Sequence, residues 1–185
     1  MTATFRVLTT PVGPMTCAAF DGRLALLEFA NEARLERQLA MLTRLFGPPR
    51  PGDDPIIDRT DAQLREYFAG DRKEFDLPLI IRGTPFQERV WHHLLTIQYG
   101  HTVAYADVAA ALGVRNGQRA VGLANGQNRI AIVIPCHRVI ERGGGLRGYG
   151  GGLANKKLLL DLERRHSDPL AGTPLGGSAG VLGEG

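Results

Sequence analysis

Cys136 and His137 are the residues of this chain with the clearest chemical potential. They lie in residues 134–139 (Ile-Pro-Cys-His-Arg-Val), directly after the apolar run 130–133. A thiol is a strong nucleophile only as the thiolate, and an adjacent imidazole can take its proton. The alternative is structural, because most free cysteines are small buried hydrophobes without reactivity. For an isolated Cys–His pair that alternative is the better one, so the rest of the chain must decide.

A carboxylate near the end of the chain could complete a relay with this pair. Glu163 lies four residues after Leu159 on the apolar face of the last predicted helix, and positions i and i+4 share a helix face. A carboxylate on an apolar stripe is costly unless it is paired. With His137 as its partner, a carboxylate–imidazole–thiol relay would result. An arginine partner, or a side chain that reaches water at the edge of the stripe, is the alternative.

The composition indicates a globular protein in a reducing compartment. Of the 185 residues, 43% are hydrophobic, which is enough for a packed core. Cys17 and Cys136 are the only cysteines, too few for a disulfide framework or a cysteine-based zinc site. The sequence begins without the pattern of a signal peptide and contains no apolar run as long as a membrane span. We therefore expect a cytoplasmic protein with no membrane association.

Positive charge is concentrated in the half of the chain that carries Cys136. The formal net charge is +3, but residues 82–166 contain 12 Lys and Arg against 5 Asp and Glu, a net of +7. Residues 1–81 contain 10 against 12, and residues 167–185 add two acidic residues. A basic face of this kind attracts polyanions, nucleic acid above all. A solvated basic surface without a partner is equally compatible with the charge alone.

Residues 1–81 are predicted to form an α+β domain. Asp21-Gly22 between two alternating segments is a strong hairpin signal. Asn31 is expected to cap the first helix, and the Gly- and Pro-rich stretch 47–52 to follow its end. The predicted strands are Thr4–Thr9, Pro14–Phe20, Arg23–Phe29 and Phe75–Ile81, and the predicted helices run from the Asn31 cap to about Phe46 and from about Asp58 to Ala69.

Residues 82–166 are predicted to form a mostly α-helical domain. Thr84-Pro85 combines a cap with the proline that favours a first helical turn. The segments Tyr105–Leu112 and 117–124, joined by the turn 113–116, form a helix-turn-helix pattern of winged-helix-like type. The last helix is predicted over about Leu153–Arg165. The Gly-, Pro- and Ser-rich tail 167–185 is predicted to be disordered.

Small residues in the second helix of this motif would permit close approach to a nucleic acid. Arg119 precedes Ala120 and Gly122, so the helix could lie near the phosphate backbone while the arginine inserts. The alternative is that the small residues pack tightly against the preceding helix. Tyr105 and Asn128, taken singly, are equally well explained as a half-exposed ring and a loop capping residue.

Taken together, these residues resemble one family. The order and spacing of Tyr105, Arg119, Asn128, Pro-Cys-His-Arg-Val at 135–139, Tyr-Gly-Gly-Gly at 149–152 and Glu163 are similar to those of the O-6-alkylguanine-DNA alkyltransferases, also called methylated-DNA–protein-cysteine methyltransferases. The resemblance is dense from Gly83 to Glu163. It is looser over residues 1–81, where the family has a variable α+β domain. The Pro-Cys-His-Arg-Val block is its most specific element.

The resemblance implies that the helix-turn-helix binds the minor groove of DNA. Arg119 would fill the gap left by a flipped guanine, and Ala120 and Gly122 would let the helix approach closely. Tyr105 would press on the adjacent phosphate and hydrogen-bond the flipped base. Flipping is required because an alkyl group on O-6 is inaccessible while the base is stacked. The implied partner is double-stranded DNA containing O-6-alkylguanine.

The resemblance also implies the reaction. Glu163 would orient His137, which takes the Cys136 proton through a water, and Tyr105 would protonate the departing base. The thiolate would accept a methyl or larger alkyl group from O-6 of guanine, and less readily from O-4 of thymine, in a single-use reaction. No cofactor and no metal would be needed. The protein is expected to be a monomer in solution, with cooperative assembly on DNA left open.

A pocket for the flipped base is implied around the same cysteine. The carbonyls of Cys136 and Val139 would accept hydrogen bonds from the guanine amino group, and the Gly150 N–H would approach O-6. Tyr149 would form part of the wall. Asn128 would brace the turn that joins the recognition helix to the cysteine.

Three alternatives compete with this interpretation. A non-catalytic alkyltransferase-like protein would bind the lesion without transfer, although that class lacks the reactive cysteine. A bifunctional transcriptional sensor would need a further zinc-binding cysteine domain, and a cysteine hydrolase would turn over without needing a helix-turn-helix.

The chain departs from the family pattern at Gln98 and Arg129, where proline is usual. Arg129 could change the rigidity of its turn and add a phosphate contact.

Overall fold

A computed structural model describes residues 3–29, 32–146 and 148–167 of the chain. Asn31, the predicted cap of the first helix, lies outside these residues, as does the predicted disordered tail beyond Ser167. None of the described helices has both the length and the apolar character needed to cross a bilayer. The elements are β1 (Thr4–Thr10), β2 (Gly13–Phe20), β3 (Arg23–Phe29), α1 (Glu32–Phe46), β4 (Arg50–Pro51), α2 (Pro55–Ala69), α3 (Pro85–Leu94), β5 (Val103–Ala104), α4 (Tyr105–Ala111), α5 (Gln118–Gly126), a 3₁₀ turn (Cys136–Arg138), β6 (Val139–Ile140) and α6 (Leu153–His166).

The N-terminal part is a mixed four-stranded sheet between two helices, which confirms the α+β prediction. The strand order is β3-β2-β1-β4, with β4 parallel to β1. Asp21 and Gly22 both have positive φ, 51° and 68°, as a two-residue hairpin turn that matches the twist of its strands requires. Helix α2 packs on β1, β2 and β3, and α1 packs on β3. The sheet is therefore covered on both faces.

Two predictions in this part are wrong: the start of the second helix and the fourth strand. Helix α2 begins at Pro55 and not near Asp58, because the Asp54 side chain accepts a hydrogen bond from Ile56 N at 2.8 Å and proline favours the first helical position. The predicted strand Phe75–Ile81 is reduced to one bridge between Leu24 and Leu79. Pro78 lies within it, and proline has no N–H to donate to a longer ladder.

The C-terminal part is mostly helical and contains the predicted helix-turn-helix. Thr84 caps α3 in a complete capping box with Gln87, as the sequence predicts. Helices α4 and α5 pack against each other, and the turn between them contains Gly113 and Asn116 with φ of 69° and 54°. Helix α3 supports this pair, since the Trp91 indole N–H donates to the Ala124 carbonyl at 2.8 Å.

The two parts share one hydrophobic core and a short stretch of paired backbone. Leu27 at the edge of the sheet donates from its N–H to Arg129 O at 2.9 Å and accepts from Ala131 N at 2.8 Å. Buried residues from both parts, among them Tyr67, Trp91 and Leu159, belong to the same cluster. The segment that precedes Cys136 is therefore fixed against the N-terminal sheet.

That segment reverses direction in tight turns and does not form a strand. Ile132 is 1% exposed and has a φ of 71°, which is strained for a β-branched residue. The Val133 N–H donates to Ala131 O at 2.8 Å across it, which closes a γ-turn. A second three-residue turn follows around Pro135, because Cys136 N donates to Ile134 O at 2.8 Å. The apolar run 130–133 therefore leads into Cys136 through two tight turns.

Arg129 is held at the start of this segment. Its guanidinium donates to Arg82 O at 2.6 Å and lies 5.5 Å from the centre of the Trp91 ring. Partial burial lowers the pKa of Arg129. The predicted effect on turn rigidity is compatible with these contacts.

Arg129→Ala is expected to lower the free energy of unfolding by about 1–2 kcal/mol, because it removes the hydrogen bond to Arg82 O and the cation–π contact with Trp91. Equilibrium urea denaturation measures this difference. Arg65→Ala is the control: it removes an exposed arginine paired with Asp61 and should change the value by less than about 0.5 kcal/mol. An Arg129→Ala protein as stable as the control would contradict the assignment.

Candidate active site

Cys136 is held in place by the amide side chains of two asparagines. The cysteine is 6% exposed. Asn128 Nδ2 donates to the Cys136 Sγ at 3.1 Å and to Ile134 O at 2.9 Å, while its Oδ1 accepts from Ile130 N at 3.0 Å. Asn125 Nδ2 donates to Cys136 O at 3.2 Å. The position of the thiol is therefore fixed by Asn125 in the last turn of α5 and by Asn128 just after that helix.

His137 lies next to Cys136 in the 3₁₀ turn and contacts Glu163 on α6. Its Nε2 lies 2.7 Å from Glu163 Oε1, and both side chains are buried, at 0% and 1% exposure. A carboxylate can only accept here, so Nε2 carries the proton and Nδ1 presents its lone pair. Nδ1 has no hydrogen-bond partner among the described residues. His137 is thus oriented as a proton acceptor at Nδ1.

Burial keeps the imidazole neutral. It lowers the pKa of His137, and the hydrogen bond and charge of Glu163 oppose this effect only in part. A neutral imidazole near pH 7 can accept a proton, whereas an imidazolium cannot. The interaction of His137 with Glu163 is accordingly a hydrogen bond from a neutral ring.

Glu163 receives hydrogen bonds from four residues in different parts of the chain. Besides His137, the donors are the Tyr67 hydroxyl at 2.7 Å, the Gly100 N–H at 3.1 Å and the Arg138 guanidinium, whose shortest contact is 2.9 Å. Burial raises the pKa of Glu163, but the hydrogen bond from His137 and the hydrogen bonds and charge of Arg138 outweigh it and bring the pKa to about 2. The sequence left open whether the partner of Glu163 is a histidine or an arginine, and the structure shows both, His137 and Arg138.

Lys156 is a buried cation that the sequence analysis did not single out. It is 0% exposed, and its Nζ donates to Val139 O at 2.6 Å and lies 5.8 Å from the centre of the Tyr105 ring. Burial lowers the pKa of Lys156. A signal was present in the sequence, since Lys156 precedes Leu159 by three residues and Glu163 by seven and so shares their helix face.

Tyr105 and Arg119 line one cavity of about 450 Å³ between α4, α5 and the loop after β6. Tyr105 is half-buried at the start of α4, and Arg119 is exposed on α5. Burial, and the proximity of Cys136 and Glu141, raise the pKa of Tyr105. Gly122 lies on the wall of the same cavity, where an added Cβ would come 3.9 Å from the Tyr105 ring. Ala120 is exposed on α5.

The other predicted pocket residues lie outside this cavity. Val139 is fully buried. Tyr149 packs edge-on against Phe29, with ring centres 5.5 Å apart, and Gly150 lines a separate cleft of about 280 Å³ with Phe29. Neither lines the Tyr105–Arg119 cavity. Arg147 lies outside the described residues.

Within the described residues, no group of three or more His, Cys, Asp and Glu side chains could hold a metal ion. The second cysteine is unlike Cys136 in its surroundings: Cys17 lies in β2 with 0% exposure, and burial raises its pKa to about 12. A thiol with such a pKa is unreactive near pH 7.

The fold and the site together define a two-part protein whose helix-turn-helix lies directly beside a buried thiol–imidazole–carboxylate arrangement. Two family models cover these parts: the ribonuclease-like domain of 6-O-methylguanine DNA methyltransferase matches residues 4–81, and its DNA-binding domain matches residues 85–165. The chain therefore belongs to the 6-O-methylguanine DNA methyltransferase family.

Curated relatives and solved structures agree with this membership. The methylated-DNA–protein-cysteine methyltransferase of Mycobacterium tuberculosis (strain ATCC 25618 / H37Rv) is 45% identical over 86% of this chain and 92% of the relative. The constitutive enzyme of Bacillus subtilis (strain 168) is 40% identical over 84% and 92%. The crystal structure of M. tuberculosis OGT in complex with DNA has a TM-score of 0.76 and 42% identity, covering 90% of this chain and 96% of that one.

Glu163→Gln is expected to lower the free energy of unfolding by about 3 kcal/mol at pH 7, because it leaves Arg138 buried without a carboxylate. The folded pKa of about 2 lies below the ordinary value of 4.5. The stability that depends on the charge is therefore complete above pH 4.5 and is lost as the pH falls toward 2. The difference between variant and wild type should be constant from about pH 7 to 5 and should shrink below about pH 4.5.

Urea denaturation at a series of pH values measures this difference. Glu66→Gln is the control, since Glu66 is a half-exposed carboxylate paired with Arg72 and should contribute less than about 1 kcal/mol. A Glu163→Gln difference that is small at pH 7, or that does not shrink in acid, would show that the buried carboxylate is not stabilised as the geometry indicates.

Proposed function

We propose that this protein repairs DNA by transferring a methyl or larger alkyl group from O-6 of guanine to Cys136, and less readily from O-4 of thymine. The observation that carries the proposal is the buried hydrogen bond between His137 and Glu163 beside Cys136, next to a helix-turn-helix. Membership of a DNA methyltransferase family and the similarity to a structure solved with DNA support the same activity. Each molecule would react once, because a thioether is not reversed by any group in the site.

The chemical steps follow from the protonation states. His137, neutral and with its Nδ1 lone pair available, takes the Cys136 proton through a bridging water. The thiolate sulfur attacks the alkyl carbon, the S–C bond forms, and the bond from carbon to O-6 breaks with its electron pair going to the base. Tyr105, whose raised pKa keeps its hydroxyl protonated, gives its proton to the departing guanine. The proton held by His137 restores the Tyr105 hydroxyl through solvent, so charge and protons balance.

The buried ammonium of Lys156 favours this sequence of steps. Cys136 is transiently a thiolate and Tyr105 a phenolate. The Lys156 charge interacts with Cys136, and Lys156 Nζ lies 5.8 Å from the centre of the Tyr105 ring. The contact from Lys156 Nζ to Val139 O, at 2.6 Å, also fixes a carbonyl that is proposed to accept from the guanine amino group. A cation in a low-dielectric site stabilises developing negative charge without further reorganisation.

The DNA-binding part of the proposal rests on α5 and the cavity beside it. Arg119 would occupy the space that the flipped base leaves in the duplex, and Ala120 and Gly122 would let α5 lie close to the backbone. The base would enter beside Tyr105. Val139 O and Cys136 O would accept hydrogen bonds from its amino group, and Asn128 would brace the turn that joins α5 to Cys136. Tyr149 would form part of the wall, and the Gly150 N–H would approach O-6.

The domain arrangement and the state of the protein belong to the same proposal. Residues 1–81 would form one domain and residues 82–166 the second, with the alkyl acceptor in the latter. The protein would be a monomer in solution, with cooperative assembly on DNA left open, and would act on double-stranded DNA in a reducing, cytoplasmic setting. The free thiols of Cys17 and Cys136 favour such a setting.

Incubation with a duplex that contains O-6-methylguanine should add one methyl group per protein molecule. The added mass should map to the peptide that contains Cys136, and guanine should appear in the duplex in equal amount. Intact-mass and peptide-mass spectrometry with a time course measure both. The reaction should stop at one equivalent, because Cys136 is consumed.

Cys136→Ala should abolish transfer while retaining DNA binding. Cys17→Ala is the matched control, since it removes the other buried thiol and should leave the stoichiometry unchanged. Binding of the lesion without transfer by the wild type would favour the non-catalytic lesion-binding alternative. Multiple turnover would favour a hydrolase. Either result would refute the proposal.

Arg119→Ala should slow transfer from duplex DNA by about 10-fold or more, because the flipped state loses the side chain that replaces the base. Transfer from a free O-6-alkylguanine base should stay within about 2-fold of wild type, since no base has to be flipped. Single-turnover rates on the two substrates measure the split. Arg115→Ala, which removes an exposed arginine from the turn of the same motif, should weaken DNA affinity in a salt-dependent way without slowing transfer at saturation. Equal effects of Arg119→Ala on both substrates would refute the assigned role.

A further inference from the structure

Tyr67 brings the N-terminal part of the protein into contact with the proposed relay. It lies on α2, is 0% exposed, and donates from its hydroxyl to Glu163 Oε1 at 2.7 Å. The two residues are 96 positions apart in the chain. Nothing in the proposed chemical steps uses this hydroxyl.

The position of the hydroxyl is fixed by the packing of its ring. Three aromatic rings surround the Tyr67 ring, with centres 5.3 Å away for Phe68, 5.4 Å for Phe75 and 5.9 Å for Tyr99. Such contacts constrain a ring in a core more than burial alone does. The packed ring therefore holds the hydroxyl within hydrogen-bond distance of Glu163.

Tyr67 and His137 donate to the same oxygen. Glu163 Oε1 accepts from Tyr67 Oη at 2.7 Å and from His137 Nε2 at 2.7 Å. Each donor withdraws electron density from the oxygen, so each lowers its strength as an acceptor for the other. The Tyr67 hydroxyl thus limits how strongly Glu163 can attract the His137 proton, and with it how strongly it stabilises an imidazolium.

The other charged and titratable groups around the pair act in fixed directions. Arg138 on the 3₁₀ turn is held against Glu163, Lys156 on α6 opposes protonation of His137, and Tyr99 before β5 faces the carboxylate. Burial and the carboxylate strongly raise the pKa of Tyr67, so it remains a neutral donor near pH 7 and below. Tyr67 is therefore a constant hydrogen-bond donor to the relay.

We propose that Tyr67 is a positioning residue of the alkyl-transfer site: its hydroxyl moderates Glu163 so that His137 stays neutral and can act as a base at lower pH. The N-terminal part of the chain thereby contributes to the chemistry through Glu163 and does not serve only as a scaffold. This inference rests on the proposed function for its kinetic test. Its spectroscopic test does not require transfer.

Tyr67→Phe isolates the hydroxyl, because the ring and its packing are retained. Without the second donor, Glu163 becomes a better acceptor, the imidazolium is stabilised and the pKa of His137 rises. The acidic limb of the single-turnover rate on a duplex with O-6-methylguanine should move up by about half a pH unit. Transfer below that limb should then be about 3-fold slower than in the wild type, and transfer on the alkaline plateau should be little changed.

Tyr99→Phe is the matched control. It removes a hydroxyl from the same aromatic cluster, at 8% exposure, that has no hydrogen-bond partner among the described residues. This variant should leave the acidic limb where it is in the wild type. Thermal unfolding and the fraction of molecules that accept a methyl group monitor folding in both variants. A purely structural role of Tyr67 would lower those values without moving the limb, and that result would overturn the inference.

Two further measurements keep the inference testable whatever happens to the activity. The proton NMR signal of the His137 Nε2–H should move downfield in Tyr67→Phe and not in Tyr99→Phe, because the hydrogen bond to Glu163 strengthens. Replacement of Tyr67 by fluorotyrosine, a stronger donor of the same shape, should shift both the signal and the acidic limb in the opposite direction. An unchanged signal in both Tyr67 variants would refute the inference. Absence of transfer by the wild type would refute the proposed function alone.

Discussion

The carboxylate of Glu163 is the point at which the separate parts of this protein meet. It accepts from α2 through Tyr67, from the backbone before β5 through Gly100, and from the 3₁₀ turn through His137 and Arg138. A buried carboxylate is tolerated only when such donors surround it. The constraint acts in both directions: the folded structure keeps the charge in place, and the charge keeps the histidine oriented beside the thiol.

The basic residues of the C-terminal half fall into two sets, one buried or half-buried and one exposed. Arg138 and Lys156 are buried and belong to the interior of the site, and Arg129 is half-buried against Trp91. Arg115 and Arg119 are exposed on the helix-turn-helix. A net of +7 for residues 82–166 therefore overstates the charge that is free to meet a polyanion. Part of the basic character lies in the interior beside Cys136 and Glu163, and only the remainder is exposed at the surface.

Much of this arrangement could be predicted from local patterns, and the exceptions share one cause. The Asp21-Gly22 hairpin, the Thr84 capping box and the face of α6 that bears Glu163 follow from turn chemistry and helix period. Tyr67 could not be assigned, because it reaches Glu163 only through the packing of α2 on a distant helix. The positive φ of Ile132 could not be predicted from the sequence either, because a β-branched residue disfavours that conformation and only tertiary contacts impose it.

Arg129 illustrates how the same local rigidity can be achieved by different thermodynamic means. A proline, usual in the family at this position, stiffens a turn mainly by restricting the unfolded chain. The arginine instead acts in the folded state, through Arg82 O and the Trp91 ring. Both contacts exist only in the folded chain and are weakened by whatever competes for the guanidinium. The turn before Cys136 is therefore held in part by interactions that respond to solvent composition, whereas a proline at this position would act mainly on the unfolded chain.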